Sequence, residues 1–195
     1  MGEDSRGAMP GAGGTDAELV RSLREQGNVM AFEALVKRYQ RPLFGFILRQ
    51  LGDKARAEDV FQQTLLRVFD KIDSCKSPEA FKPWAFSVAS NLCRNEERAL
   101  RSRPGGESLQ RLDNRAAPGL DPEASAAAAE ARRTIQLSLS ALPAAQREVF
   151  VLYHYTQLSY DEIAAATGMP LGTVKSRMNA ALTQMRLTLF GLKDQ

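Results

Sequence analysis

Residues 159–186, SYDEIAAATGMPLGTVKSRMNAALTQMR, decide the fold of the second half of this 195-residue chain. Ser159 and Glu162 have the spacing of a capping box, in which each side chain satisfies a free backbone amide at the start of a helix. Gly168 follows where a tight turn requires a left-handed backbone. Val174 then falls on the inner side of a second helical stretch. The pattern predicts a helix-turn-helix, a motif that inserts its second helix into a DNA groove.

The second predicted helix has an outward side that can approach phosphates. No acidic residue occurs between Glu162 and Asp194, so this side meets DNA without like-charge repulsion. Its polar side chains are the candidate DNA contacts: Thr173, Lys175, Ser176, Arg177 and Asn179.

The net charge says little by itself about nucleic-acid binding. It is only +3, so attraction to nucleic acid depends on where the cations lie.

The composition also bears on metal sites, membranes and location in the cell. Cys75, Cys93 and His154 lack the spacing of a zinc site. We expect reduced, largely buried cysteines, with Cys75 open as a redox-sensitive exception, and we predict no metal or other cofactor. No run of residues is long enough to cross a bilayer. The composition of residues 1–14 indicates a flexible tail rather than a secretory signal. We therefore expect a cytoplasmic protein.

A segment of different character separates two apolar-rich blocks. Residues 104–130 contain three glycines, three prolines, five acids and two arginines but no aromatic residue, a composition typical of a flexible linker. The blocks on either side, residues 15–103 and 131–195, have helical periodicity and no period-two alternation. We therefore predict an all-α protein of two small helical domains joined by a flexible linker.

The first block predicts three helical segments. The first carries an apolar stripe from Phe32 to Ile47, which Pro42 bends or restarts. Residues 57–72 carry a second stripe at steps of three and four. A loop at residues 73–80 precedes the third segment, which runs from Phe81 to Arg101.

The third segment mixes aromatic and basic side chains. Trp84 and Phe86 precede Arg94 and Arg98 on it. Aromatic rings beside arginines hold the unpaired bases of melted strands. The same rings at helical spacing also fit an ordinary core, and the arginines also fit a solvated face.

Three stretches, taken in order, resemble one protein family. They are AEDVFQQTLLRVF (57–69), FKPWAFSVASNLCRNEER (81–98) and LPAAQREVFVLYHYTQLSYDEIAAATGMPLGTVKSRM (142–178). With the linker before the third stretch, they resemble bacterial RNA polymerase sigma factors of the extracytoplasmic-function (ECF) group. The resemblance covers roughly residues 15–188.

The resemblance implies a different function for each of the two domains. In that family the first domain, sigma-two, docks on the clamp coiled coil of the largest polymerase subunit and opens the minus-10 promoter element. The second domain, sigma-four, reads the minus-35 element and sits on the polymerase flap. The implied partners are core RNA polymerase, promoter DNA and an anti-sigma factor.

The resemblance also implies roles for individual residues. The stretch 58–69 would dock on polymerase through Asp59, Gln62, Gln63 and Arg67. The minus-10 element would be contacted by Ser74, Trp84, Asn91, Arg94, Asn95 and Arg98. Within this set, the loop 73–80 would capture a flipped base in a pocket formed by Ser74, Asn91 and Trp84. The candidate contacts from Thr173 to Asn179 would read the minus-35 element.

Other classes of protein remain open from the residues alone. A dimeric helix-turn-helix regulator would bind duplex DNA without polymerase and use the first block as a sensor or dimerisation module. However, a sensor has no reason to carry arginines after Asn91 on an aromatic helix. A pure protein-interaction module would leave the acid-free stretch after Glu162 unexplained. No glycine-rich phosphate loop, histidine pair or activated nucleophile points to an enzyme. Together with the resemblance to sigma factors, we therefore predict a non-catalytic subunit that directs transcription initiation.

Overall fold

The computed structural model describes residues 14–102 and 126–191. Every regular element in these ranges is helical, which confirms the predicted all-α class. The predicted tail and most of the predicted linker lie outside the described residues. Below, the front half is residues 14–102 and the back half is residues 126–191. None of the helices in these two ranges is long and apolar enough to span a membrane.

Each half is built from its own set of helices. The front half contains α1 (Asp16–Gln26), α2 (Val29–Leu51), α3 (Lys54–Asp70) and α4 (Phe81–Arg101). Short 3-10 turns at Ile72–Ser74 and Pro78–Ala80 connect α3 to α4. The back half contains α5 (Ala126–Ser140), α6 (Ala144–Thr156), α7 (Tyr160–Thr167) and α8 (Leu171–Gly191). The bounds of α4 are those predicted for the third helical segment.

Local sequence sets the ends of the first three helices. The Thr15 hydroxyl accepts from the Glu18 amide, and the Glu18 carboxylate accepts from the Thr15 amide at 2.7 Å, which starts α1 with a capping box. Gly52 ends α2 with a φ of 70°, a conformation that glycine adopts at little cost. Asp53 then starts α3 by accepting from the Arg56 amide at 2.9 Å.

Pro42 lies inside α2 without interrupting it. The alternative in which this proline restarts the helix is therefore wrong. A proline in a helix interior costs about 3 kcal/mol, but side chains on both sides of it, including Leu35 and Phe46, are fully buried. Their burial in one core keeps the whole apolar stripe on a single helix.

Aromatic packing fixes the position of α4. Phe46 of α2 and Phe86 of α4 are completely buried and meet edge to face, with ring centroids 5.8 Å apart. Burial of a side chain of this size contributes about 1.5–3 kcal/mol. Phe86 is thus a core residue, and its packing leaves another side of α4 facing away from the core.

The back half contributes its own buried apolar side chains to a core that is continuous with that of the front half. Val149 and Leu152 of α6, Ile163 of α7, and Val174 and Met178 of α8 are all buried. The buried positions of α8 recur at the spacing of an amphipathic helix. The predicted inner side of the second helix is confirmed, and its other side remains free for contacts.

Candidate polymerase and nucleic-acid interfaces

The predicted polymerase-docking residues lie together on the solvent side of α3. The buried side of this helix contributes Val60, Thr64 and Val68 to the front half. The docking residues are all exposed: Asp59, Gln62, Gln63 and Arg67. The helix therefore presents a row of polar side chains that a partner can reach without unfolding it.

Two large apolar side chains interrupt this polar row. Leu66 is 65% exposed and Phe69 is 42% exposed. Phe69 touches Phe32 of α2 edge to face, with ring centroids 5.0 Å apart, whereas Leu66 is the more exposed of the two. Sequence reasoning missed both as contact candidates. The signal was their spacing: Leu66 lies four residues after Gln62 and Phe69 lies three residues after Leu66, and residues three or four apart share one side of a helix.

The exposed side of α4 carries three of the six predicted minus-10 contacts. Asn91, Asn95 and Arg98 are exposed and follow one another at steps of four and three, so they form one stripe. Trp84, two turns before Asn91, is half-buried and packs near Phe81 with ring centroids 6.0 Å apart. This packing gives the exposed stripe a rigid aromatic end.

Ser74 lies in the first 3-10 turn between α3 and α4 and is exposed. Its hydroxyl donates to the Lys71 carbonyl at 2.7 Å. The hydroxyl oxygen can still accept a hydrogen bond from a ligand.

The cysteines are buried inside the front half. Burial raises the pKa of the Cys75 thiol, although Arg24 opposes the shift, and it raises the pKa of the Cys93 thiol as well. A raised pKa keeps more of the sulfur in the less reactive thiol form, which weighs against a redox role for Cys75. Within the described residues, no group of histidine, cysteine and acidic side chains could hold a metal ion.

The helix-turn-helix is formed by α7 and α8. The predicted capping box is confirmed: the Ser159 hydroxyl accepts from the Glu162 amide at 3.2 Å, and Glu162 accepts from the Ser159 amide at 2.8 Å. Gly168 ends α7 with a φ of 70° and donates to the Ala164 carbonyl at 2.9 Å. The turn therefore has the left-handed glycine that the sequence predicts.

The outward side of α8 carries the predicted minus-35 contacts. Lys175, Ser176 and Asn179 are exposed, and Thr173 and Arg177 are half-buried. The Arg177 guanidinium contacts the sulfur of Met169 in the turn. The structure thus groups all of these side chains on the second helix.

Replacing Gly168 by alanine should lower the free energy of unfolding by about 1–2 kcal/mol, because an L-residue is strained in the left-handed region. Gly172 provides a matched control, since it lies inside α8 and a Cβ there would meet no atom within 4 Å. Gly172→Ala should be neutral or stabilising by up to about 1 kcal/mol. Chemical denaturation of both variants measures the difference, and equal stabilities would contradict the assigned turn.

A carboxylate–arginine pair joins the front and back halves. Glu148 on α6 accepts from Arg94 Nη2 at 2.9 Å and from the Ser90 hydroxyl, both on α4. Arg94 Nη2 also lies 3.3 Å from the Thr167 carbonyl at the end of α7, to which it donates. The Glu148 side chain is only 5% exposed. In this conformation the back half therefore occupies Arg94, one of the predicted minus-10 contacts.

A second pair lies beside the first. Arg147 Nη2 is 3.5 Å from Glu97 Oε1, and Gln50 Nε2 donates to the same oxygen at 3.3 Å. Burial raises the pKa of Glu97 although Arg147 is close, and burial lowers the pKa of Arg147. Desolvation thus outweighs the attraction between the two charges, so this pair adds little net stability to the contact between the halves.

The contact leaves a cleft of about 580 Å³ between the halves. Arg94, Arg98 and Arg101 of α4 line it together with Arg177 of α8. Arg94 and Arg98, which are predicted to contact the minus-10 element, therefore face the same cleft as Arg177, which is predicted to contact the minus-35 element.

Both halves match models of one protein family. Residues 35–103 match Sigma-70 region 2, and residues 132–185 match Sigma-70, region 4.

Known proteins resemble the chain over most of its length. The ECF RNA polymerase sigma factor SigW of Bacillus subtilis is 30% identical over 174 residues, which cover 85% of this chain and 92% of SigW. The ECF RNA polymerase sigma factor SigL of Mycobacterium tuberculosis is 32% identical over 184 residues, 93% of this chain and 94% of SigL. Among solved structures, CnrH in complex with the cytosolic domain of CnrY matches with a TM-score of 0.64 and 25% identity, covering 92% of this chain and 97% of CnrH. The chain therefore belongs to the ECF sigma factors, which direct RNA polymerase to start transcription at specific promoters.

Proposed function

We propose that residues 15–103 form a sigma-two domain that docks on core RNA polymerase and opens the minus-10 element, and that residues 131–195 form a sigma-four domain that reads the minus-35 element. The observation that carries the proposal is the division of α4 into two sides. Phe86 anchors the buried side, whereas Asn91, Asn95 and Arg98 form an exposed stripe. Such a helix can hold an unwound strand without losing its own packing.

The polymerase contacts fall on a different helix. The exposed row on α3, from Asp59 to Arg67, would face the clamp coiled coil of the largest subunit, while sigma-four would sit on the flap. No catalytic group is required of the chain, because nucleotide addition belongs to the polymerase. It would act as a non-catalytic subunit in the cytoplasm.

Binding to a promoter requires the two halves to separate. The positions that name the minus-10 and minus-35 elements differ by about 25 base pairs, which corresponds to about 85 Å of duplex at 3.4 Å per base pair. Arg98 and Arg177 line one cleft in the described conformation. The predicted linker could bridge the separated halves. Its residues 126–130 belong to α5, but the 23 residues 103–125 reach up to about 80 Å at about 3.5 Å per residue, and the two halves themselves span the remaining distance. A tether of this kind raises the local concentration of the second domain once the first is bound.

An anti-sigma factor that covers the polymerase-docking side is also part of the proposal. CnrH was solved with the cytosolic domain of CnrY, and by analogy an anti-sigma factor would bind this chain and keep its polymerase-docking side covered. Exposed Leu66 on α3 gives such a partner an apolar contact.

Open-complex formation tests the proposal. The purified chain would be added to sigma-free core polymerase and a library of random promoters, and unpaired thymines would be mapped with permanganate. Strand opening should be confined to promoters that share one minus-10 and one minus-35 sequence. Tight duplex binding without core, with no opening when core is present, would instead support a dimeric helix-turn-helix regulator.

Arg177→Ala should weaken binding to the minus-35 element by about 1–3 kcal/mol and change the preferred base at one position, because a bidentate arginine reads a guanine edge. Arg186→Ala, at an exposed position further along α8, should leave the base preference unchanged. Holoenzyme affinities for a set of single-base promoter variants measure both effects. Equal weakening on every sequence would make Arg177 a phosphate contact.

A further inference from the structure

One arginine of α1 holds the loop between α3 and α4. Arg24 Nε and Nη2 donate to the Ile72 carbonyl at 3.1 and 2.6 Å, and Nη2 also donates to the Cys75 carbonyl. Nε lies 3.7 Å from a carboxylate oxygen of Asp73. The Arg24 side chain is only 20% exposed, so these contacts are largely shielded from water. Because the guanidinium is planar and rigid, it fixes the direction of several hydrogen bonds at once.

The two carbonyls lie on either side of the exposed tip of the loop. Ile72 and Cys75 are buried, whereas Asp73 and Ser74 between them are exposed. The tip is a 3-10 turn in which the Cys75 amide donates to the Ile72 carbonyl at 3.1 Å. Arg24 therefore anchors the backbone before and after Ser74.

A second contact from α1 reaches the other end of the loop. Arg21 pairs with Glu79, and Glu79 accepts from the Ser77 hydroxyl at 2.5 Å. The Arg21 and Glu79 side chains are 50% and 60% exposed, so solvent weakens their pair. Of these two described contacts between α1 and the loop, the one made by Arg24 is therefore better shielded from water than the Arg21–Glu79 pair.

We propose that Arg24 is a positioning residue for recognition of the flipped minus-10 base. The inference rests on the proposed function and on the expectation from the family resemblance that the loop 73–80 captures that base. A pocket discriminates between bases when its polar groups are held in place before binding, because a loose loop must be ordered first and can adapt to the wrong base. Arg24 supplies this rigidity from behind the loop and touches no DNA. Without it, the Ile72 carbonyl keeps only the Cys75 amide as a donor, and the Cys75 carbonyl loses its Arg24 donor. Ser74 is then held only by its local bonds to the Lys71 carbonyl and is no longer tied to α1.

The test compares holoenzymes that carry the wild-type chain, Arg24→Gln, Arg24→Lys or Arg38→Gln. Arg38 is a matched control, because it also ties the start of α1 in place, but through Asp16 and the Gly14 carbonyl rather than through the loop. Open complexes would be selected from a library with a fixed minus-35 element and a randomised minus-10 element, and then sequenced. Thermal unfolding and core affinity would be measured on each variant.

Arg24→Gln should reduce base discrimination at one minus-10 position by on the order of tenfold, the loss expected when buried polar groups lose their partners. Arg24→Lys keeps the charge but not the planar fork, so its discrimination should be intermediate. Preferences at the other positions, and all preferences of Arg38→Gln, should match wild type. If Arg24→Gln does not fold, Arg24→Lys must show the selective loss by itself.

Two results would overturn the inference alone: wild-type discrimination in a folded Arg24 variant, or an equal loss at every minus-10 position. A wild-type holoenzyme that prefers no minus-10 base would overturn the proposed function, and this inference with it.

Discussion

Glu148→Ala is expected to separate the two halves of the free protein. Arg94 and Ser90 both donate to this carboxylate, and the Glu148 side chain is 5% exposed. Removal of one member of a buried charge pair costs about 3–5 kcal/mol. The Arg94 side chain is 34% exposed, so water can compensate in part and we expect the lower end, about 3 kcal/mol. The described packing of α4 against α6 and α7 should then open.

Two measurements check this expectation. Small-angle X-ray scattering should show a larger radius of gyration for Glu148→Ala than for wild type. Binding to a single-stranded minus-10 oligonucleotide without core polymerase should strengthen about tenfold, because Arg94 is released for phosphate contacts. Glu58→Ala is the control, since Glu58 pairs with Lys54 on the exposed side of α3. An unchanged radius and unchanged oligonucleotide affinity would show that the pair does not hold the halves together.

Leu66→Asp is expected to abolish most binding to core polymerase while leaving the fold intact. Leu66 is 65% exposed, so the folded chain loses little when it is replaced. If Leu66 is a hot spot of the docking interface, its contact carries about 2 kcal/mol or more of binding free energy, and an acidic group in its place must also be desolvated. We therefore expect a loss of about 3 kcal/mol, roughly a hundredfold in Kd.

Competition for core polymerase against a labelled wild-type chain measures this loss. Lys54→Asp is the matched control: it adds an acid on the same helix, but twelve residues earlier, about a third of a turn around the axis. The control should compete like wild type, and thermal unfolding should show that both variants are folded. If Leu66→Asp also competes like wild type, α3 does not dock in the proposed orientation.

Local sequence was sufficient for three of the four helices of the front half and for the turn, whereas α1 was not predicted. The glycines at positions 52 and 168 occupy left-handed conformations that other residues rarely adopt, and side-chain caps at Asp53 and Ser159 start the helices that follow them. These signals act within a few residues and can be read from spacing alone. The exposed and buried sides of α4 and α8 follow from helical periodicity in the same way.

Contacts between residues that are far apart in the chain could not be predicted from spacing along the sequence. Arg94 and Glu148 are 54 residues apart, and Arg24 and Ile72 are 48 residues apart. Periodicity assigns each side chain to a side of its own helix but does not say which helix lies opposite. The family resemblance therefore implied Arg94 as a DNA contact, and the sequence gave no indication that a carboxylate of the back half would hold it.

Energy transfer between dyes on the front and back halves measures whether they separate on the promoter. Lys71→Cys and Gln184→Cys provide exposed labelling positions, and the native thiols are buried with raised pKa values. Transfer should be efficient in the free protein and nearly absent in the open complex with core polymerase, where the two promoter elements are about 85 Å apart. Efficient transfer that persists in a transcribing open complex would contradict the division of promoter recognition between the two halves.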